Sequence, residues 1–161
     1  MFHIPLASAS TQYIDAICQQ KPVIDKAFCN QTLNGFPPAA SATTLLQASQ
    51  AVLHLGISYA AKSAVASAKA ATENPNLKKQ FERCQGEFAT IIGNLKNAAS
   101  GIKEDLASAS YDVMISFDST AIVKNLVGKY SDKDSKNVII MTLMMEKFLD
   151  IAEGAFYAIG W

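Results

Sequence analysis

Three cysteines, two histidines and one Asn-x-Thr tripeptide are the residues of this chain whose types could do covalent or metal chemistry. Cys18 and Cys29 are separated by ten residues, with Pro22 at an expected turn between them. A short helical hairpin would bring their sulfurs together and leave Cys84 as an orphan; the alternative is three reduced, buried thiols. A disulfide closing so short a loop stabilises by about 3 kcal/mol in the chain-entropy description. Asn30-Gln31-Thr32 fits the acceptor pattern for N-glycosylation, a modification of the secretory route. His3 and His54 stand in no His-Glu-x-x-His or Glu-x-x-His pair, and there is no Cys-x-x-Cys, so no metal site is expected. The one nucleophilic pair that can be written is a Cys84 thiolate with His54 as its base. Cys84 falls on an apolar helical stripe, however, where its expected role is that of a small buried side chain. Glycine-rich phosphate loops and Gly-x-Ser-x-Gly are both missing, so no cofactor and no catalysis are expected.

The remaining charged groups form no specialised field. Fourteen basic and 14 acidic side chains cancel over 161 residues, and no run of like charge offers the clustered Lys and Arg that nucleic acid rewards. Asp112, Asp118, Asp132 and Asp134 gather around one helix and the loop after it, where a solvated face is the expected role. Apolar stretches are broken by Lys, Asp or Glu before reaching the length of a membrane span, so neither nucleic acid nor membrane is an expected partner. The first residues, Met1-Phe2-His3-Ile4-Pro5-Leu6, lack the charged start and the length of a signal peptide. They leave two readings, a cytosolic chain or a secreted one whose signal has been removed.

Helical periodicity must position these groups. Asn74-Pro75 reads as an N-cap and first helical residue, followed by Leu77, Phe81, Cys84, Phe88, Ile91, Leu95, Ala98 and Ile102 at alternating steps of four and three. An alanine-rich segment over 41–72 precedes it, with Leu45, Ala48, Val52, Leu55 and Tyr59 on one stripe. A third element starts near Ser108 or Ser110, carries Val113, Phe117, Ala121 and Ile122, and stops at Gly128. In the fourth, Asp134 or Ser135 is the expected cap, and Val138, Met141, Met145, Phe148, Ala152, Ala155 and Ile159 form the stripe; Met144 joins the two methionines as gap-filling core. Short connections between four long helices predict an all-α fold, an antiparallel up-down-up-down four-helix bundle over 41–160. Before it, residues 10–36 predict a helical hairpin extension, with Ser10 capping one helix and Pro22 starting a second that ends at Asn34-Gly35. Pro37-Pro38 is expected to be an extended linker. The whole, 1–161, is a single domain.

Ile14-x-x-x-Cys18, ten residues, Cys29-x-x-x-Leu33, followed by Leu77-Lys78-Lys79-x-Phe81-x-x-Cys84-x-x-x-Phe88-x-x-Ile91-x-x-x-Leu95, resembles the plant invertase and pectin methylesterase inhibitor family over about Thr11 to Ile159. The resemblance implies a disulfide-closed hairpin, Cys18 with Cys29, ahead of a four-helix bundle. It also implies a non-catalytic inhibitor, secreted to the cell wall or apoplast (the vacuole being the alternative), that docks over the substrate cleft of a carbohydrate-active enzyme. The family's fourth cysteine would fall around Asn125, so Cys84 is expected to be an unpaired thiol. The family's Ser-Ala-Ala-Leu is replaced by Asp118-Ser119-Thr120-Ala121.

Pectin methylesterase and acid invertase are the two partners the resemblance implies. The family's Pro-Lys-Phe motif of invertase inhibitors is matched here by Ala109-Ser110-Tyr111, which keeps the aromatic and loses the cation. A lysine would pair with the carboxylates of a glycosidase cleft, so its loss favours pectin methylesterase. Ala109, Ser110, Tyr111, Asp118 and Thr120 are the candidate target contacts, and Asn30 is the candidate glycosylation site. A homodimer formed through the N-terminal hairpin is left open. So is a family member that has lost inhibition and persists as a structural or ligand-binding bundle.

Overall fold

The computed structural model describes residues 5–160, with side chains from residue 12 onward; the expectation for His3 lies outside them. The helices are α1 (Pro5–Cys18), α2 (Lys26–Asn34), α3 (Pro37–Ala40), α4 (Leu45–Glu73), α5 (Lys78–Gly101), α6 (Leu106–Val127) and α7 (Lys133–Ile159). There is no strand among the described residues, and the expected all-helical class is observed.

The four long helices form a ring in which α4 packs on α5, α5 on α6, α6 on α7 and α7 back on α4. Cross-helix contacts show that α7 runs antiparallel to both α4 and α6. Asn74 at the end of α4 donates to Asp132 at the start of α7 (3.3 Å), whereas Tyr59, a few turns earlier, meets Phe148 (ring centroids 5.0 Å). On α6 and α7, Ser110 pairs with Glu153 and Thr120 with Glu146. Phe81, Phe88, Ile91, Leu95, Met145, Leu149 and Phe156 fill the centre, and the stripe expected from Phe81 to Ile102 is buried throughout. Small residues let α4 approach closely, since a Cβ on Gly56 would come within 3.0 Å of Leu95 Cδ1. The buried hydroxyls of α4 turn back on their own helix: Ser63 donates to the Tyr59 carbonyl and Ser67 to that of Ser63 (2.8 and 2.9 Å).

Several expected boundaries shift, each for a capping reason. Asp105, Asp132 and Asp25 accept from the backbone N–H three residues on, so α6 starts at Leu106 rather than Ser108 or Ser110. α7 starts at Lys133 rather than after Asp134 or Ser135, and α2 at Lys26 rather than Pro22. An aspartate offers the N-terminal amides a charged acceptor that serine lacks. Helix α1 runs back through Ser10 to Pro5. Pro75 opens a 3-10 turn, Pro75–Leu77, ahead of α5. Pro37-Pro38 is not an extended linker: the prolines occupy the first turn of α3, where a fixed φ near −65° and a missing N–H are both tolerated.

The hairpin of α1 and α2 is closed by the Cys18–Cys29 disulfide (Cα–Cα 5.6 Å). The Lys26 ammonium caps the end of α1, lying 3.0–3.3 Å from the carbonyls of Cys18, Gln19, Gln20 and Val23. The hairpin seats on α7 of its own chain. Lys147 pairs with Asp25 (2.9 Å) and lies over the Phe28 ring (5.0 Å to the centroid), and Phe28 meets Phe148 edge-on (5.7 Å). Reduction of the disulfide should lower stability by about 3 kcal/mol, read as a shift of the denaturation midpoint in the presence of reductant.

Candidate functional site

Helix α6 inverts the usual polarity of a bundle helix. Its buried residues are Ala109, Ser110, Val113, Ser116, Ser119, Thr120, Val123 and Val127, while Tyr111 and Met114 are each 57% exposed. Asp118, Ala121 and Asn125 continue that outward stripe at steps of four and three. Buried hydroxyls are tolerable because each of three finds a partner on a neighbouring helix. Asn94 of α5 donates to Ser116 (3.2 Å); Ser110 donates to Glu153 (3.3 Å) and Thr120 to Glu146 (2.7 Å) on α7. Lys124 completes the second group with an ion pair to Glu146 (2.8 Å). The consequence is an outward face of α6 with an aromatic ring, a thioether, a methyl, an amide and one carboxylate.

The solvent face of α5 carries glycine at two positions. Gly86 and Gly93 are exposed, one turn from Thr90 on either side, and a Cβ on either glycine would meet nothing within 4 Å. A glycine inside a helix costs about 1 kcal/mol relative to alanine. Packing within this chain does not require either glycine.

Along the seam between α6 and α7, Glu146, Asp150 and Glu153 lie on one side of α7 at steps of four and three. Burial, reinforced by repulsion from Glu146, pushes the Asp150 carboxyl up to about 6. Glu153 is raised first by burial, then by Asp150, against a lowering hydrogen bond from Ser110, and its Oε1 is buried without a partner. Asp112 on α6 is raised by burial. A carboxyl raised on folding stabilises fully below its unfolded pKa, and that contribution is lost as pH rises through the folded value. Between pH 4.5 and 7.5 the melting temperature should therefore fall. For Asp150, partly buried, solvent screening leaves about 1–2 kcal/mol, or a few degrees. Asp150→Asn should flatten most of that slope, and an unchanged slope in the variant would refute the assignment. Asp25, Asp105 and Asp132 are lowered by their capping bonds, so their loss falls below this window.

The residues singled out from sequence separate into surface and support. Tyr111 and Asp118 are exposed and share one stripe. Ala109, Ser110 and Thr120, at 1%, 3% and 0% exposure, face the core and α7, where they help to set the position of α6. Asn30 is half-buried on α2, its amide donating to the Lys26 carbonyl (3.0 Å). Cys84 is a free, buried thiol pushed up to about 12 by burial first and by Glu87 second. His54 is exposed and lines a groove with Lys96 and Ser100, some 18 Å or more along α5 from Cys84 at 1.5 Å per residue. The pair therefore has neither geometry nor a thiolate at neutral pH. Native alkylation of Cys84 should be undetectable and become complete only on denaturation, as mass spectrometry reads it. Asn125, where a second disulfide would put its partner, is exposed, away from the interior that holds Cys84.

Nothing in the sequence pattern marks Met114, the α5 glycines or the Glu146–Asp150–Glu153 row as a site. The row's spacing was visible; that it faces α6 was not. Among the described residues no group of three or more His, Cys, Asp or Glu is placed to hold a metal ion, and no helix is long and apolar enough to cross a membrane.

Comparison with known proteins adds two findings. The family model for plant invertase/pectin methylesterase inhibitors matches residues 12–136. A solved structure described as a mutant form A of a pectin methylesterase inhibitor from Arabidopsis superposes with a TM-score of 0.73 at 17% identity, covering 89% of this chain and 95% of that one. No curated protein matches the chain. The match to the solved structure carries the fold; the family match, spanning the hairpin, α4, α5 and α6, carries kinship.

Proposed function

The chain belongs to the plant invertase/pectin methylesterase inhibitor family, and we propose from that premise that it inhibits a secreted pectin methylesterase by docking the outer faces of α5 and α6 over the enzyme's substrate cleft. Members of this family inhibit enzymes and do not catalyse. The observation that carries the reading is the α5–α6 surface: Tyr111 and Met114 stand out beside a face kept free of side chains at Gly86 and Gly93. An exposed aromatic and a thioether are anchors of the kind that dominate interface energies. Smooth glycine positions let a partner's backbone approach a helix closely.

Between Leu106 and Val123 the chain has no basic residue. A glycosidase cleft presents paired carboxylates, so the outward face of α6 offers an acid invertase no charge complement, which supports the methylesterase as target. The Cys18–Cys29 disulfide supports an oxidising, extracellular setting, and Asn30 is the proposed glycan site, tested by the mass shift on enzymatic deglycosylation. Exchange of the hairpin between two chains would keep its contacts with α7 in trans; sedimentation velocity reads that directly.

The deciding experiment is titration of the purified protein against a pectin methylesterase and, separately, an acid invertase. Loss of methylesterase activity alone is the expected result. Unchanged activity of both at micromolar protein would remove the proposal. Tyr111→Asp should weaken inhibition about tenfold or more while leaving the melting temperature within a degree or so, as expected for an exposed anchor.

A further inference from the structure

We propose that the seam between α4 and α7 is a second docking surface, a groove that takes an acidic amphipathic helix of a protein partner. In the ring of four helices this seam lies across the bundle from α5 and α6, so an enzyme seated there leaves it open. The groove, of about 460 Å³, is lined by Tyr59, Val65, Ala66, Ile140 and Met141 with Lys62, Lys69 and Asn137. It shares Asn137 and Ile140 with an adjoining hollow of about 580 Å³ that adds Ser131, Lys133, Asp134 and Lys136. Val65 is 70% exposed and Ile140 is 62% exposed. These are among the most exposed aliphatic side chains described, and they flank one trough.

The rims are cationic. Lys62 and Lys69 stand on the α4 side, Lys133 and Lys136 on the α7 side. Lys69 makes a long, exposed pair with Glu73 (3.8 Å), which is worth little. Lys62, Lys133 and Lys136 have no ion pair among the described residues. Asp132 and Asp134 are the other carboxylates nearby, so four ammonium groups face three carboxylates. Asp132 is engaged by Asn74 and the α7 cap, which leaves three of the four ammonium groups unpaired in a chain whose net charge is zero.

Charge and apolar lining together select the occupant. A linear polyanion would use the lysines and leave Val65 and Ile140 in water. A small ligand would want an enclosed site burying most of its surface, which a trough walled by such exposed residues does not give. A helix with apolar residues at i, i+3, i+4 and i+7 and Asp or Glu on its flanks uses both features at once. From Tyr59 to Lys69 the α4 wall runs about 15 Å, or close to three helical turns.

The test uses the full chain and a fluorescent helical peptide of roughly 18 residues, leucine at the four seam positions and glutamate on both flanks. Saturable binding is expected in fluorescence anisotropy, weakening as salt is raised. A peptide with lysine for glutamate, and one with serine for leucine, should each bind about tenfold or more weakly. Lys62→Glu with Lys136→Glu should cost a similar factor, as should Val65→Ser with Ile140→Ser; all four sites are exposed, and an unchanged melting temperature confirms folding. Pre-saturation with the inhibited enzyme should leave the peptide affinity unchanged, which separates this site from the α5–α6 face and from the fate of the inhibitor reading. Absence of saturation, equal binding of the lysine peptide, or indifference to both double variants would overturn the proposal. So would self-association abolished by Ile140→Ser, which would give the groove to a second copy of the chain.

Discussion

Gly93→Leu should leave the bundle at least as stable as the parent and weaken inhibition about a hundredfold. The two effects have opposite signs for separate physical reasons. In the free protein a side chain at position 93 enters open space, since nothing lies within 4 Å of its Cβ, and leucine is better than glycine in a helix interior by about 0.8 kcal/mol. In the docked complex the same side chain must fit between α5 and the enzyme. Forcing extra methylenes into a packed contact costs about 1–3 kcal/mol, and a hundredfold loss corresponds to about 2.7 kcal/mol. Ser58→Leu, at an exposed position of α4, is the control that adds the same side chain away from the proposed face; it should leave inhibition intact. Inhibition constants against pectin methylesterase, paired with thermal melts, read both effects. A Gly93→Leu protein that inhibits as well as the parent would place the docking face elsewhere on the bundle.

The reason this face was only partly legible in the sequence lies in α6. On α5 the interior is built from Phe81, Phe88, Ile91 and Leu95, so periodicity and burial agree and the stripe can be read off directly. On α6 the interior is built partly from Ser110, Ser116, Ser119 and Thr120. Periodicity therefore favours Phe117, Ala121 and Ile122, of which Ala121 is exposed and the other two are half-buried. A serine reads as surface until its partner is known, and here the partners are Asn94 and Glu153 on other helices. The same limit hides the acid row of α7. Glu146, Asp150 and Glu153 are three ordinary carboxylates in the chain, and only the packing of α7 against α6 removes enough water to raise Asp150. Helix ends depart from the expected positions for a simpler reason. Asp25, Asp105 and Asp132 compete as caps with neighbouring serines and prolines, and the competition is decided by a single hydrogen bond each. The hairpin disulfide was readable because its two cysteines bracket one turn.

Gly154→Ala should destabilise the protein by about 2 kcal/mol, in a helix where alanine would otherwise be favoured. Gly154 is buried on α7 where the hairpin sits, and a Cβ there would lie 2.5 Å from Val23 Cγ2 and 2.9 Å from the carbonyl oxygen of Ile17. Neither neighbour yields easily. Val23 is β-branched and stiff at χ1, and the Ile17 oxygen is backbone at the end of α1, one residue before Cys18, whose disulfide ties it to α2. Relief requires the hairpin to lift from α7, which strains the Lys147–Asp25 pair and the Phe28–Phe148 contact. Overpacking costs about 1–3 kcal/mol, and two contacts under 3.0 Å against stiff neighbours put Gly154 at the top of that range; the gain in helix propensity, about 1 kcal/mol, leaves about 2 kcal/mol. The melting temperature should fall by about 4–8 °C for a chain of this length. Hydrogen exchange localises the effect: protection should drop in α1, α2 and the Phe148 end of α7 while α5 and α6 stay protected. Val23→Ala removes the nearer obstacle, so the double variant should be less destabilised than the sum of the two single changes, a coupling of about 0.5–1 kcal/mol. If Gly154→Ala melts with the parent, or the two changes simply add, the hairpin is not held against α7 in the way described, and exchange of the hairpin between chains becomes the arrangement to test.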